Sequence, residues 1–529
     1  MYDLLIKGGM VLDGTGAPWT IADVAVNGDK IVAIGNLHGQ GAIRSIDATG
    51  LCVTPGFIDI HSHSDVAVLV NPRAESKIRQ GVTTEVVGQC GSSPAPITPR
   101  SLEMGRQAAA EYGLEITWTD MAGYARAVTD KGTSVNVVPI VGHSMIRGAV
   151  MGMERRGPTA EELGTMMQLV DAAMRDGARG MSSGLIYPPS SYADVDEIAA
   201  LAGVVARYDG IYMTHMRNES EGLLESIDEA LAVGRRAGVR VQISHHKAVG
   251  RPNWGLPAKS LPMLEAARRD GIDVTADQYP YIASSTGLSS VIPAWAHEGG
   301  TGKMIERIND PATAERLRAE IIDSQTKRGG QWSDLFVASV SVEADKQWEG
   351  KTIQEIADAR GVDPIDAVFD LLRSGQYVGQ VRFGMCEEDV KTIMRHPLVM
   401  VGSDGSCLAP YGVLGKGKPH PRNYGTFVRV LGKYVRQEGN LELPEAVRKM
   451  TSLPASRMRL LDRGLLRPGL VADIAVFDPA TVGERATFVD PHQYAGGVHY
   501  VIVGGQPTVW GGEHTGATNG KVLVSRGPA

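Results

Sequence analysis

His61 and His63 close an apolar run, Phe57-Ile-Asp-Ile-His-Ser-His63. Side chains in a strand alternate between faces, so residues two apart project together. Two imidazoles leaving one strand end in the same direction form the arrangement that a pair of metal ligands requires. Four more groups stand just past strand-like runs in the same way. Cys90 follows Thr83-Thr-Glu-Val-Val-Gly-Gln89, and His215 follows Ile211-Tyr-Met-Thr214. His245 follows Val239-Arg-Val-Gln-Ile-Ser244, and Asp404 follows Val399-Met-Val-Gly-Ser403. Singly, each has a plain explanation: a cysteine commonly packs in a core, and an aspartate after Gly-Ser commonly caps a turn. Together, imidazole, thiolate and carboxylate are the donor set that zinc accepts, and a metal centre is the stronger reading.

The elements that must position these groups alternate in type. Strand candidates are 57–60, 83–87, 135–141, 180–182, 211–214, 239–243, 272–276 and 399–402. Helical stretches at 160–176, 194–208, 219–237 and 261–270 lie between them, and 444–453 reads as the last crossover. Such alternation predicts parallel strands joined by helical crossovers, and eight strands predict a closed α/β architecture, the (β/α)8 TIM-type barrel. Chemistry in such barrels sits at the carboxyl ends of the strands, where all six groups fall. The interval from 287 to 397 is too long for one strand–helix unit, and about 287–349 reads as a subdomain inserted near the barrel mouth.

Both ends of the chain read as β structure, at 4–6, 21–26, 30–34 and 45–53 and again at 472–477, 500–503 and 522–524, with turn signals between. Residues 1–54 plus 462–529 are expected to pair into one small β-sandwich domain, leaving 55–461 as the catalytic barrel.

Over 529 residues the chain is 43% hydrophobic and 21% charged, which excludes wholesale disorder. A net charge of −7 gives no reason to expect nucleic acid or an anionic membrane as partner. The four cysteines show no Cys-x-x-Cys spacing, the start lacks a signal-peptide pattern, and no uncharged run approaches a membrane span. A cytoplasmic location is expected, and the oligomeric state is left open.

The motifs together resemble the D-aminoacylase (N-acyl-D-amino-acid deacylase) family of the amidohydrolase superfamily. The resemblance is carried by Gly56-Phe-Ile-Asp-Ile-His-Ser-His63, Glu85-Val-Val-Gly-Gln-Cys-Gly91 and Ser182-Ser-Gly-Leu-Ile-Tyr187. It continues through Thr214-His-Met-Arg217, Ser244-His-His-Lys247, Tyr279-Pro-Tyr281, Gly402-Ser-Asp-Gly405, His420-Pro-Arg-Asn-Tyr-Gly-Thr-Phe427 and Ala472-Asp-Ile-Ala-Val-Phe-Asp-Pro479. It implies a tight zinc site at Cys90, His215 and His245. His61 and His63 would form a second, weaker site that Cys90 is able to bridge. No lysine stands in Ser182-Ser-Gly-Leu185 to serve as the carboxylated bridge of many amidohydrolases.

The resemblance also implies that Asp404 is the catalytic acid/base and belongs to the metal set. Lys247, Tyr279 and Arg422 match positions that bind the carboxylate of a small-molecule N-acyl-D-amino acid, with Ser285 beside them. Tyr187 and His143 are further candidates at the mouth, whereas His246 alternates away from His245 and reads as structural. The segment after Ser285, 286–295, contains no basic residue, which favours neutral, largely hydrophobic side chains. Two other readings are a cyclic-amide hydrolase of the hydantoinase or dihydroorotase kind and a non-catalytic scaffold. The missing lysine speaks against the first, and the six filled ligand positions against the second.

Overall fold

The computed structural model describes residues 1–100, 109 and 112–525. Eight parallel strand positions build the barrel: β1 (Phe57–Asp59), β2 (Val82–Val87), β3 (Asn136–Pro139 and Val141–Gly142), β4 (Gly180–Gly184), β5 (Ile211–His215), β6 (Arg240–Ile243), β7 (Val274–Gln278) and β8 (Val399–Val401). The first half of β3 pairs with β2 and its second half with β4, so the three-stranded and six-stranded sheets meet within one strand. The ring is joined at β8 and β1 just beyond the strands. There Ser62 and Gly405 form a parallel bridge, and the Asp404 N–H donates to the His61 carbonyl at 2.8 Å. Almost every strand residue is buried, as expected of parallel strands covered on both faces. The crossover helices match the apolar periodicity closely: Ala160–Arg175 opens on a Thr159/Glu162 capping box, and Val195–Ala206 is capped by Asp194.

The two chain ends form one nine-stranded sheet, joined where Ile474–Phe477 pairs antiparallel with Cys52–Pro55. Period-two alternation divides its side chains. Leu4, Ile6, Val24, Val26, Ile474 and Ile502 fill the small domain's own core. Cys52, Phe477, Val501 and Val503 join the core of the barrel. Residues 522–524 depart from expectation. Val522 bridges to Val137 of β3 and the Leu523 N–H donates to Val137 O, so this segment runs against the barrel. The last four residues of the expected 462–529 segment lie outside the described residues.

Between β7 and β8 the chain makes a longer excursion than 287–349. A three-stranded antiparallel sheet, Ala283–Gly287, Val378–Phe383 and Leu335–Val340 in that order, carries four helices and its own apolar core around Leu288, Leu317, Ile356 and Phe369. Its middle strand is the last in sequence, so the unit is complete only at Phe383.

Phe57 ties the pieces together. Fully buried at the start of β1, it stacks on Phe427 at 5.9 Å between centroids and packs at 6.2 Å against Phe477 of the small domain. Phe57→Ala is expected to destabilise the protein by about 3–5 kcal/mol, measured by denaturant unfolding, and a loss below about 1 kcal/mol would show that the barrel and small domain do not depend on this contact.

Candidate active site

The strand ends bring the predicted groups to one place. His61 Nε2 lies 3.3 Å from Cys90 Sγ and 3.3 Å from Asp404 Oδ1, and His245 Nε2 lies 3.4 Å from the same sulfur. One ligand atom each from His61, Cys90, His245 and Asp404 lies within 4.8 Å of all the others, and His215, Glu219 and His245 form a second such group. His63 reaches Asp404 Oδ1 at 3.0 Å. His215 therefore groups with Glu219 and His245, with its ring 4.4 Å from that of His245. Two donors on one tetrahedral zinc are about 3.5 Å apart, given metal–ligand bonds of about 2.0–2.3 Å. The contacts of Cys90 with both imidazoles meet that spacing. Both ring nitrogens of His215 are buried without a hydrogen-bond partner, which a buried imidazole tolerates poorly unless it binds something. The donor set thus fits zinc.

Backbone strain marks the same points. Cys90, His245 and Asp404 hold φ of +52°, +35° and +51°, a region that costs a non-glycine residue of order 1–3 kcal/mol. Turning into this region at a strand end aims each side chain back over the barrel axis. Close approach is made possible at Gly184, where a Cβ would stand 2.2 Å from the Cys90 carbonyl oxygen.

Electrostatics prepare the ligands. Burial alone would push the Cys90 thiol up, but His61 and His245 beside it hold it well below its ordinary range, favouring the thiolate that metals bind. Burial likewise opposes ionisation of Asp404, yet Arg422, His245 and His61 hold its carboxyl well below the usual range. Arg422 Nη1 stands 2.8 Å from Asp404 Oδ2.

Two acids that the sequence reading missed orient the candidate ligands. Asp277, at the end of β7, lies 3.2 Å from His61 Nδ1, accepts the His245 N–H at 2.8 Å and accepts from Gln242 at 2.8 Å. Glu219 lies 3.0 Å from His245 Nδ1, 2.7 Å from Lys247 Nζ and 3.7 Å from His215 Nε2. The reading placed Glu219 at the start of a helix, where an acid is ordinary. The helix begins at Leu223, and Glu219 is in the loop beyond β5. The available signal was its place four residues after His215. Beneath Asp404, the buried Lys77 donates to Asp59 Oδ2 and Ser403 Oγ at 2.6 Å each, and Asp59 Oδ1 accepts the Ser403 N–H at 2.9 Å.

A cavity of about 640 Å³ opens over the cluster. His63, Cys90, His215, His245 and Asp404 line it together with the expected substrate residues Lys247, Tyr279, Ser285, Arg422 and Tyr187. Tyr279 is buried with its hydroxyl unpartnered, under the Arg422 guanidinium at 5.0 Å from the ring centre. Tyr187 packs edge-on against His215 and bonds Thr286 Oγ1 at 3.0 Å, which ties the mouth to the inserted sheet. His143 is not among the lining residues. It is fully buried behind the wall, between Glu197 and Ser190, because the chain turns into a helix directly at residue 143. His246 points away, bonded to Ser260 Oγ at 2.8 Å.

A (β/α)8 barrel with histidines, a cysteine and an aspartate converging on its strand ends defines a metal-dependent hydrolase fold, and comparison places it. Residues 44–509 match the model of the Amidohydrolase family. The D-aminoacylase of Alcaligenes xylosoxydans xylosoxydans is 38% identical over 99% of this chain and 98% of its own. The chain belongs to the amidohydrolase family, in its D-aminoacylase branch. The structure of an N-acyl-D-glutamate deacylase from Bordetella bronchiseptica, solved with zinc and a phosphonate mimic of the tetrahedral intermediate, superposes with a TM-score of 0.84 at 34% identity, covering 99% of each chain. A D-hydantoinase from a Thermus species shares the fold alone, at 15% identity and a TM-score of 0.55, covering 99% of each chain.

Because Glu219 backs His245, Glu219→Ala is expected to weaken zinc binding by about 10–100-fold in competition with a chromogenic chelator, with folding retained. Unchanged affinity would remove Glu219 from this role.

Proposed function

We propose that the protein is a zinc-dependent deacylase that hydrolyses the amide bond of N-acyl-D-amino acids to a carboxylate and the free D-amino acid. The observation that carries this reading is the unpartnered Tyr279 hydroxyl beside Arg422 and Lys247, immediately next to the ligand cluster. A buried hydroxyl donor flanked by two cations suits the carboxylate of an amino acid held beside the scissile amide. His61, Cys90, His215 and His245, with His63 and Asp404, would hold the metal. A zinc ion there would supply Lewis-acid polarisation of the amide carbonyl and acidification of water.

The protein's own groups complete the chemistry. Asp404, ionised at neutral pH, accepts a proton from the attacking water at its carboxylate and returns it to the nitrogen as the C–N bond breaks. Arg422 then has two neighbours, Asp404 and the substrate carboxylate, and can fix one against the other. His61, Asp277 and His245 are buried at the cavity floor, where a lower dielectric strengthens each of these interactions. The D configuration rests on similarity to the D-aminoacylase relatives.

The absence of a basic residue in 286–295 supports neutral, hydrophobic side chains. One observation favours acidic ones instead: Arg328 and Arg382 also line the cavity, and neither forms an ion pair among the described residues. A panel of N-acetyl-D- and N-acetyl-L-amino acids, assayed before and after chelation and zinc return, decides both questions. Zinc-restored turnover of the D-leucine, D-methionine and D-tryptophan derivatives is expected. Turnover confined to D-glutamate or D-aspartate derivatives would assign the arginines the side-chain subsite, and no turnover of any D substrate would overturn the deacylase reading. Asp404→Asn is expected to retain zinc while losing roughly 10²–10⁴-fold in kcat; near-normal kcat would remove Asp404 from its role.

A further inference from the structure

Lys77 is fully buried in the short helix Glu75–Ile78 between β1 and β2, and the deacylation chemistry makes no direct use of it. It donates to Asp59 Oδ2 and Ser403 Oγ at 2.6 Å each and to the Gly405 carbonyl at 3.3 Å, and it lies 3.3 Å from Glu85 Oε1. Burial opposes the charge on Lys77, but Asp59 and Glu85 outweigh it and keep the group protonated. Asp59 closes β1, whereas Ser403 and Gly405 stand on either side of Asp404 beyond β8. One ammonium thus reaches across the seam where the ring is joined.

Ammonium and backbone N–H groups only donate, and this fixes the direction of each bond. Ser403 Oγ receives Lys77 and the Gly405 N–H at 3.0 Å. Its own proton therefore goes to Asp59 Oδ2 at 2.6 Å, the nearer of two acceptors, the His61 carbonyl being at 3.4 Å. Asp59 Oδ1 accepts the Ser403 N–H at 2.9 Å and the His61 N–H at 3.2 Å. The Gly405 carbonyl accepts the His63 N–H at 2.8 Å. Asp59 and Gly405 each grip the backbone of one candidate histidine ligand, and Ser403 grips the residue after Asp404. Lys77 holds all three.

Asp404 sits at φ +51°, a conformation that persists in a non-glycine residue only where its surroundings over-determine it. Arg422, His61 and His63 restrain its carboxylate. Its backbone is restrained by the residues on either side and by its own N–H on the His61 carbonyl at 2.8 Å. An ammonium needed only to balance Asp59 could bond to it from any side, whereas this one is placed on residues 403 and 405. We propose that Lys77 is a positioning residue that acts through Ser403 and the Gly405 carbonyl to hold Asp404 in its strained turn, with the carboxylate aimed at His61 and His63. Its consequence for the reaction rests on the deacylase reading. There, a proton acceptor displaced by about 1 Å can cost about 10²-fold in rate.

Ser403→Ala removes the relay while leaving Lys77 paired with Asp59, and Lys77→Met removes its source. In crystals of zinc-loaded Ser403→Ala, the Asp404 carboxylate is expected to stand about 1 Å from its place in the unmodified protein, with Cys90, His215 and His245 unmoved. With N-acetyl-D-leucine, kcat is expected to fall about 10- to 100-fold while KM changes by less than about twofold. That loss should vanish in an Asp404→Asn background, where the network has no proton acceptor left to position; a general weakening of the fold would persist there. Lys77→Met, if it folds, should lose at least as much kcat as Ser403→Ala, and Ser403→Ala decides alone if it does not. An unmoved Asp404 carboxylate, near-normal kcat in either folded variant, or an equal loss in the Asp404→Asn background would overturn the assignment of Lys77. Failure of the unmodified protein to hydrolyse N-acetyl-D-leucine would instead strike the deacylase reading, and the crystals would still show whether the network positions Asp404.

Discussion

Cys90, His245 and Asp404 turn into left-handed backbone at three different strand ends, and their side chains meet around His61, with one ligand atom of each within 4.8 Å of the others. That convergence is costly twice over. Each turn is strained, and the cluster gathers a thiolate and carboxylates in a buried place where like charges repel. A cation bound among these groups would remove the second cost and offset the first, which is what supports reading the cluster as a ligand cage. The surrounding charges follow from this need. Arg422 pairs with Asp404, Lys247 and Glu219 meet at His245 Nδ1, and Asp277 holds His61 Nδ1, so that the Nε2 atoms of both histidines turn toward Cys90.

The rest of the molecule keeps that cage closed. The seam between β8 and β1 runs directly beneath it, so the hydrogen bonds of Asp404 and Gly405 to residues 61–63 both complete the barrel and set the ligand positions. Lys77 is buried against Asp59 and Ser403 on the same seam and locks it from below. The small domain braces the barrel through Phe477 on Phe57. The inserted sheet roofs the cavity, where Thr286 meets Tyr187 and Ser285 offers its carbonyl to Arg422. The cavity thus draws on the barrel for the candidate ligand cluster and on the insertion for its far wall.

Much of this was legible in the sequence because the barrel obeys a simple rule: strands are short apolar runs, and chemistry follows them. The six ligand candidates, the crossover helices and the pairing of the chain ends all came from that rule or from motifs attached to it. What was missed did not stand out by type. Asp277 directly follows the strand run 272–276 and so satisfied the rule without being singled out, the strand itself continuing to Gln278. Glu219 looked like the first turn of a helix. The insertion was cut short because its middle strand, Val378–Phe383, comes last in sequence, and only tertiary pairing shows that it lies between the other two. His143 was placed at the mouth by its position after a strand, yet the immediate start of a helix turns it behind the wall.

The account depends most on the Cys90 sulfur being a ligand of the metal that the cage holds. X-ray absorption at the zinc edge of the zinc-loaded protein measures this directly. The predicted result is a sulfur scatterer at about 2.3 Å together with nitrogen or oxygen neighbours at about 2.0–2.1 Å, with the sulfur shell lost in Cys90→Ser. A first shell of nitrogen and oxygen alone in the unmodified protein would contradict it.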